Sequence, residues 1–186
     1  MNSFHTVTAR RHQRGISVIE VLIAVVVVSL GMLGIAGLQL TGMKQSSGGF
    51  NRSKATLYAE DIASRMRINT RGVLSGAYDG HDSSAAGYCA AFTGPLCDAS
   101  GTTPAGSCSA DQLAEFDLYS VSCGVDGTSG VNGSDLPNGV VRVVCDTTGC
   151  PPESTWNISV EWTENSTVSE TAGDTDTFQV MMRLKP

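Results

Sequence analysis

The sequence predicts an α+β protein in which a long N-terminal helix packs against an antiparallel β-sheet head that contains disulfides. Three observations lead to this prediction. Residues 21–43 form an apolar run without a charged side chain, residues 44–68 continue with apolar side chains at helical spacing, and the last third of the chain alternates apolar and polar residues. All six cysteines lie beyond the apolar run.

The apolar run is long enough to cross a membrane as a helix. It contains 23 residues. At about 1.5 Å per residue such a helix is about 34 Å long, against a bilayer core of about 30 Å. Three arginines (Arg10, Arg11 and Arg14) precede the run, and a single lysine, Lys44, follows it. Because basic residues stay on the cytoplasmic side, we expect one span with a cytoplasmic N-terminus and an exported head.

The start of the run does not fit an ordinary secretory signal. Such a signal is cleaved after its apolar region, at a site of small residues. Here the small residue, Gly15, stands before the apolar region, and a carboxylate, Glu20, lies five positions after it. Two simpler interpretations remain open. One is a plain membrane anchor with Glu20 stabilised by the helix dipole, and the other is a cleaved secretory signal with a long tail.

This segment resembles the class III signal of type IV pilins and pseudopilins, and the matching residues are Arg14-Gly15-Ile16-Ser17-Val18-Ile19-Glu20. The resemblance implies that a prepilin peptidase cleaves after Gly15 and N-methylates the new amino group of Ile16. Most family members have phenylalanine in place of Ile16. An unpaired carboxylate in lipid costs a few kcal/mol, so the resemblance also implies that Glu20 pairs with the charged amino terminus of a neighbouring subunit.

Beyond Lys44 the helix is predicted to become amphipathic and to continue to about Ile68. Its apolar face repeats every three or four residues, with a loosening expected at residues 46–49, where two serines precede two glycines. From Ile16 the helix would be about 80 Å long. The apolar face consists of Ala55, Ala59, Ile62, Ala63 and Met66.

Two stretches of this helix, residues 31–39 and 52–69, look like the PilV-type minor pilins, also called type IV pilus modification proteins. The second stretch contains the signature Arg65-Met66-Arg67-Ile68-Asn69. The resemblance implies a type IV pilin-like fold with three parts. These are a leader at residues 1–15, a transmembrane and assembly helix at 16–70, and a periplasmic α+β head at 71–186.

The head is predicted to combine glycine-rich loops with short elements. Ser109 and Gln112 form a capping-box pattern that would open a helix to about Phe116. The dipeptide Asn138-Gly139 favours a hairpin turn before a strand. Strands are predicted at 139–145, 156–163 and 178–184, with a further one near 119–123.

The six cysteines predict disulfides, because they lie in a part of the chain expected to reach an oxidising compartment. Six cysteines allow 15 pairings, and we expect three bridges in sequential order. Cys145 and Cys150 flank a short turn and are the best local pair. The sequential pattern would be completed by Cys89–Cys97 and Cys108–Cys123.

The charge and the site residues argue against nucleic-acid binding and catalysis. The chain has a net charge of −6, and from Arg71 onward four basic residues face fifteen acidic ones. Such a head repels phosphate backbones. His81 is the only histidine beyond the leader, no serine lies in a nucleophile elbow, and the cysteines lack paired metal-ligand spacing. We therefore expect neither an enzyme nor a metal or other cofactor.

The function expected from the resemblance is that of a minor pilin acting in pilus initiation or at the tip, and so in twitching motility or adhesion. Its partners would be prepilin peptidase, other minor pilins, the major pilin and the inner-membrane assembly machinery. The protein would lie in the inner membrane and then in the pilus at the cell surface. The alternatives are a minor pseudopilin of a type II secretion system, a filament-displayed adhesin or ligand-binding head, and a membrane-anchored envelope enzyme.

Overall fold

The chain divides after Gln45 into two units, Met1–Gln45 and Ser46–Pro186. The computed structural model describes residues 15–97, 108–166 and 174–185. One helix, α1, begins in the first unit at Val18 and ends in the second at Ile68. The end of this helix confirms the sequence prediction.

Helix α1 begins where the carbonyl of Ser17 accepts the backbone N–H groups of Glu20 and Val21, at 3.0 and 3.3 Å. It continues through Gly48 and Gly49 without a break, so the expected loosening there is wrong. A glycine weakens a helix by only about 1 kcal/mol relative to alanine, which the packing of the following turns outweighs.

In the first unit, α1 is an apolar helix with no covering layer among the described residues. Its large side chains are exposed, from 51% for Val21 to 78% for Val18. By length and composition, α1 is the one helix in the described part of the chain that could cross a membrane.

The second unit is built on a four-stranded antiparallel sheet in the order β1-β2-β3-β4. The three longer strands confirm the alternating patterns, although β3 and β4 extend beyond the predicted bounds. Strand β1 was not predicted, because two residues are too few to show a period. The strands are His81–Asp82 (β1), Val140–Cys145 (β2), Trp156–Asn165 (β3) and Thr175–Leu184 (β4).

The core lies between one face of this sheet and the part of α1 from Ser46 onward. The predicted apolar face of α1 is fully buried, with exposures of 0–1%. Its three alanines have short side chains, which allow the helix to lie close to the sheet. The α+β fold class predicted from the sequence is confirmed. The sheet contributes Val141, Val143, Trp156, Ile158, Val160, Trp162 and Leu184.

Helix α3, Ala110–Cys123, begins as predicted and ends later than predicted. Ser109 and Gln112 form the capping box, and the helix stops at Gly124, whose φ is +72°. The expected strand near 119–123 is therefore wrong. Every residue from Phe116 to Cys123 is buried, and a segment buried on all sides has no period that separates a helix from a strand.

Three further elements were not predicted. Helix α2, Thr70–Leu74, follows α1 after Asn69, a single 3-10 turn occupies Tyr88–Ala91, and a wide turn kinked at Gly133 occupies Val131–Asp135. The dipeptide Asn138-Gly139 does form a turn, with Asn138 at φ +48°. It joins the wide turn to β2 and does not connect two strands, so it is not the predicted hairpin.

The cysteines pair differently from the sequential prediction. The bridges are Cys89–Cys123 and Cys97–Cys108, with Cα atoms 5.5 and 6.0 Å apart. Cys108 and Cys123 lie at opposite ends of the 14-residue helix α3. At about 1.5 Å per residue that separation far exceeds the Cα distance of about 7 Å that a disulfide allows.

The predicted bridge between Cys145 and Cys150 is also not formed, and both side chains are buried thiols. Cys145 lies at the end of β2, and its Sγ donates to the carbonyl of Thr147 at 3.2 Å. The backbone N–H of Cys150 donates to the same carbonyl at 3.0 Å. The structure thus has two bridges and two thiols where three bridges were expected.

This arrangement predicts the outcome of thiol mapping. In the folded chain no cysteine should react quickly with an alkylating reagent, because four are bridged and two are buried. After denaturation without reductant, the reagent should label Cys145 and Cys150 alone. Peptide mapping should recover the pairs 89–123 and 97–108. Recovery of a Cys108–Cys123 peptide, or labelling of any of the four bridged cysteines, would contradict the structure.

Candidate functional site

The first candidate site is the start of α1. Gly15, Ile16 and Ser17 precede the helix, so the Gly15–Ile16 peptide bond lies outside regular structure. The side chain of Ile16 is 76% exposed. A peptide bond outside a helix and flanked by exposed side chains is open to a peptidase. The predicted cleavage position thus lies outside regular structure, and cleavage there stays a prediction.

Glu20 lies in the first turn of α1, among apolar side chains. Near a helix N-terminus a carboxylate is stabilised by the helix dipole. Within residues 15–97, 108–166 and 174–185 no cation pairs with Glu20. The only formal charge between Gly15 and Met43 is therefore a carboxylate on an otherwise apolar and exposed helix.

A second site joins the end of α1 to α3 through a buried carboxylate, Asp117. Asp117 is 6% exposed. It accepts hydrogen bonds from Arg65 Nη1 at 3.2 Å and from the Tyr78 hydroxyl at 2.6 Å. Arg65 also contacts Ser120 Oγ at 3.0 Å and pairs with Asp61 one turn earlier on α1. We call Arg65, Tyr78, Asn69 and Asp117 the head lock.

Asn69 extends the head lock to α2. Its Nδ2 donates to the carbonyl of Ala110 at 2.7 Å and contacts the hydroxyl of Tyr78 at 3.2 Å. Its Oδ1 accepts the backbone N–H of Gly72 at 3.2 Å and so caps α2. Gly72 is required here, because a Cβ at this position would lie 2.5 Å from the Asn69 side chain.

The head lock explains the signature at the end of α1. Arg65 and Asn69 face the lock, Met66 is fully buried in the core, and Arg67 is exposed. Sequence reasoning found this motif but missed its partners, Asp117 and Tyr78. The available signal was an aspartate within a run of otherwise apolar or aromatic side chains in α3.

Burial and charge act together on Tyr78. Burial raises the pKa of its hydroxyl well above the ordinary value, and the hydrogen bond to the charged Asp117 raises it further. Tyr78 therefore stays protonated and acts as a permanent donor to the carboxylate. A charge-assisted hydrogen bond of this kind is stronger than one between neutral groups.

A second clamp holds the wide turn Val131–Asp135 against α1. Lys54 Nζ donates to the backbone carbonyl of Asp135 at 3.1 Å and lies 3.6 Å from its carboxylate. The hydroxyl of Tyr58 donates to the same carboxylate. The hydrogen bond from Tyr58 is the main cause of the lowered pKa of Asp135.

His81 lies on β1 and contacts α3. Its Nε2 is 3.2 Å from Ser122 Oγ and its Nδ1 is 3.5 Å from the Tyr88 hydroxyl. Burial lowers the pKa of His81 to about 4, although the neighbouring Asp82 acts in the opposite direction. Ser122 is completely buried, so this Ser–His pair is closed to any substrate and has the geometry of a packing contact.

These features define a class of protein: a subunit with a membrane-type apolar helix, a glycine and a carboxylate at its start, and a disulfide-containing α+β head. Comparison with known families names the class. Residues 10–36 match the prokaryotic N-terminal methylation motif, and residues 37–119 match the Tt1218-like model, described as type IV pilin Tt1218. Together these adjacent matches cover residues 10–119 and show that this part of the chain is similar to type IV pilins. Neither a curated protein nor a solved structure matches the chain.

The head lock predicts an asymmetry between two aspartates that contact Arg65. Replacement of Asp117 by alanine should lower the free energy of unfolding by about 2–3 kcal/mol, because it removes the carboxylate that accepts from the buried Tyr78 hydroxyl and one of the acceptors of Arg65. Asp61→Ala is the matched control and should change it by less than about 0.5 kcal/mol, since the Asp61 side chain is 45% exposed. Denaturation of the full chain in detergent, followed by Trp156 and Trp162 fluorescence, measures both. Equal effects would mean that the lock does not depend on Asp117.

His81 predicts a pH dependence of stability. Its folded pKa of about 4 lies below the unfolded value of about 6.5. The unfolded state therefore binds more protons between these values, and stability falls as the pH is lowered from about 6.5 to 4. His81→Gln cannot titrate, so the difference in melting temperature between wild type and this variant should change across that window and be constant above pH 7. A difference that stays constant from pH 4 to 7 would contradict the burial of a neutral His81.

Proposed function

We propose that this chain is a minor subunit of a type IV pilus, similar to the PilV-like minor pilins. The observation that carries the proposal is the start of α1, where Gly15 precedes an exposed apolar helix with a lone carboxylate in its first turn. The match of residues 10–36 to the N-terminal methylation motif supports it. The likeness of the 52–69 segment to PilV-type proteins supports the minor role.

In this proposal residues 1–15 are the leader, residues 16–70 are the transmembrane and assembly helix, and residues 71–186 are the periplasmic head. Prepilin peptidase cleaves after Gly15, and Ile16 becomes the N-methylated first residue. The N-terminus faces the cytoplasm because the arginines of the leader precede the span. The subunit then moves from the inner membrane into the filament.

Glu20 directs assembly in this proposal. In an apolar environment its charge needs a partner, and the new amino group of a neighbouring subunit supplies one. Because both groups sit at fixed positions on their helices, the pair sets the register of one α1 against the next. The subunit would act with other minor pilins and the major pilin at filament initiation or at the tip, and so contribute to motility or adhesion.

Processing and assembly are tested separately in cells that make the pilus. Mass spectrometry of the mature chain should find N-methyl-Ile16 at its start. Glu20→Ala should be processed and inserted normally but should be lost from sheared filaments and initiation complexes, because the inter-subunit pair is removed. Glu60→Ala, at an exposed glutamate in the head part of α1, is the matched control and should be incorporated normally.

The outcomes separate the alternatives. A mature N-terminus beyond Leu38 would identify an ordinary secretory signal. Correct processing with normal incorporation of Glu20→Ala would reject the pairing role and leave Glu20 as an interfacial acid. Presence of the chain in secretion complexes, and its absence from sheared pili, would favour the minor pseudopilin.

A further inference from the structure

The outer strand of the sheet, β4, has an open edge. It pairs with β3 over its whole length, in unbroken register from Trp156↔Leu184 to Asn165↔Thr175. No strand of the described residues lies on its other side. In an antiparallel pair, alternate residues direct their backbone N–H and C=O groups away from the partner. About half of the backbone groups of β4 therefore face the open edge.

The helix-facing side of β4 is also incompletely covered. The core residues of β3 are 0–2% exposed, but Phe178, the partner of Trp162, is 43% exposed. Val180 and Met182 are only partly buried. Helix α1 packs over β2 and β3 and covers β4 only in part. We call the partly covered side chains Phe178, Val180 and Met182 the apolar strip.

Over residues 177–182 this edge lacks the usual protection against strand pairing. Sheet edges in proteins are commonly very short, or carry a proline, a bulge or an inward-pointing charge. The opposite edge follows this pattern, since β1 has only two residues. Between Thr177 and Met182, β4 has no proline, no bulge and no charge.

Charges at the two ends of β4 indicate what could bind there. At one end Asp176 lies directly across from Glu164. The Glu164 carboxylate accepts hydrogen bonds from Asn51 Nδ2 at 3.0 Å and Trp162 Nε1 at 2.7 Å, but neither carboxylate has an ion pair with a described residue. At the other end Arg183 is exposed and likewise has no ion pair within the described ranges.

We propose that β4 accepts an extended segment of a different polypeptide as a fifth strand of the sheet. The segment would have apolar side chains at alternate positions, to cover the apolar strip. It would have a basic residue beside Asp176 and an acidic residue beside Arg183. Strand addition of this kind takes its affinity from main-chain hydrogen bonds and its specificity from alternate side chains.

A second copy of this chain fits the edge poorly. Parallel pairing of two β4 strands would place Asp176 beside Asp176 and Arg183 beside Arg183. Antiparallel pairing would match the charges but would turn one head by half a revolution, so that the two α1 helices ran in opposite directions. Subunits anchored in one membrane with the same orientation cannot do this, an argument that rests on the proposed function. The β1 edge is too short to pair with a ten-residue strand.

The proposal is tested with the full chain in detergent micelles and two synthetic eight-residue peptides, whose end residues are seven positions apart like Asp176 and Arg183. Both alternate threonine and valine. One carries a lysine at one end and a glutamate at the other, and the second carries a glutamate at both ends. Hydrogen exchange should show that the lysine-glutamate peptide protects alternate amides of β4. It should bind about fivefold more tightly than the doubly acidic peptide.

Two variants and one control make the test specific. Val180→Lys puts a charge on the helix-facing side of the edge and should weaken both peptides about tenfold. Gln179→Lys, on the other face of the same strand, should change binding by less than about twofold. Asp176→Lys should reverse the preference, so that the doubly acidic peptide binds better. Because Asp176 is exposed, this variant keeps the test decisive even if Val180→Lys does not fold.

Three results would overturn the proposal. They are an absence of β4 protection with both peptides, an unchanged peptide preference in Asp176→Lys, and concentration-dependent dimers that Val180→Lys abolishes. The last result would make a second copy the occupant. None of these readouts depends on cleavage after Gly15 or on incorporation into a filament. Failure of the strand-addition proposal therefore leaves the proposed function standing, and failure of the processing or assembly tests leaves the peptide-binding result standing.

Discussion

The arrangement of the head depends on a single buried carboxylate. Asp117 lies on α3, but its two strongest partners come from the end of α1 and from the turn after α2. An ionised group can stay buried only if it is paired and hydrogen-bonded. The end of α1, the turn after α2 and α3 must therefore pack in the one arrangement that supplies these partners to Asp117. Once α3 is fixed in this way, Cys123 at its end is placed for the bridge to Cys89, and Ser122 is placed against His81.

The two parts of α1 are built from different chemistry for different neighbours. Up to Met43 the helix carries large aliphatic side chains all round, exposed in the isolated chain, and its only charge is Glu20. From Ser46 onward the buried face consists largely of alanines, with charged residues on the flanks. The first pattern suits lipid or other apolar helices, and the second suits close contact with a sheet. Both patterns occur on the same uninterrupted helix, α1, which continues into the head without a linker.

Periodicity accounts for what could be predicted from the sequence. The alanine face of α1 and the alternation in β3 are local patterns, and both elements lie where those patterns place them. The wrong predictions depend on contacts between distant residues. Tyr119 and Val121 favour strands by composition, but they belong to α3, whose burial on all sides removes the period that would have marked a helix. The cysteine pairing could not be read from spacing, because it depends on the length of α3. Asp117 was overlooked because its role appears only when Arg65 and Tyr78, 52 and 39 residues away, are brought beside it.

One disulfide joins Cys123, the last residue of α3, to Cys89, and the other joins Cys97 to Cys108, which lies just before α3. Neither joins α1 to the sheet. From Ser46 onward, α1 therefore contacts the sheet through side-chain packing and the hydrogen bond from Asn51 to Glu164, with no covalent cross-link between them. Under tension the covalent cross-links would hold α3 and its loop together as one piece, while the boundary between helix and sheet would be the first to yield. The contact between α1 and the sheet thus depends on noncovalent packing, and reduction of the two disulfides would break no bond between them.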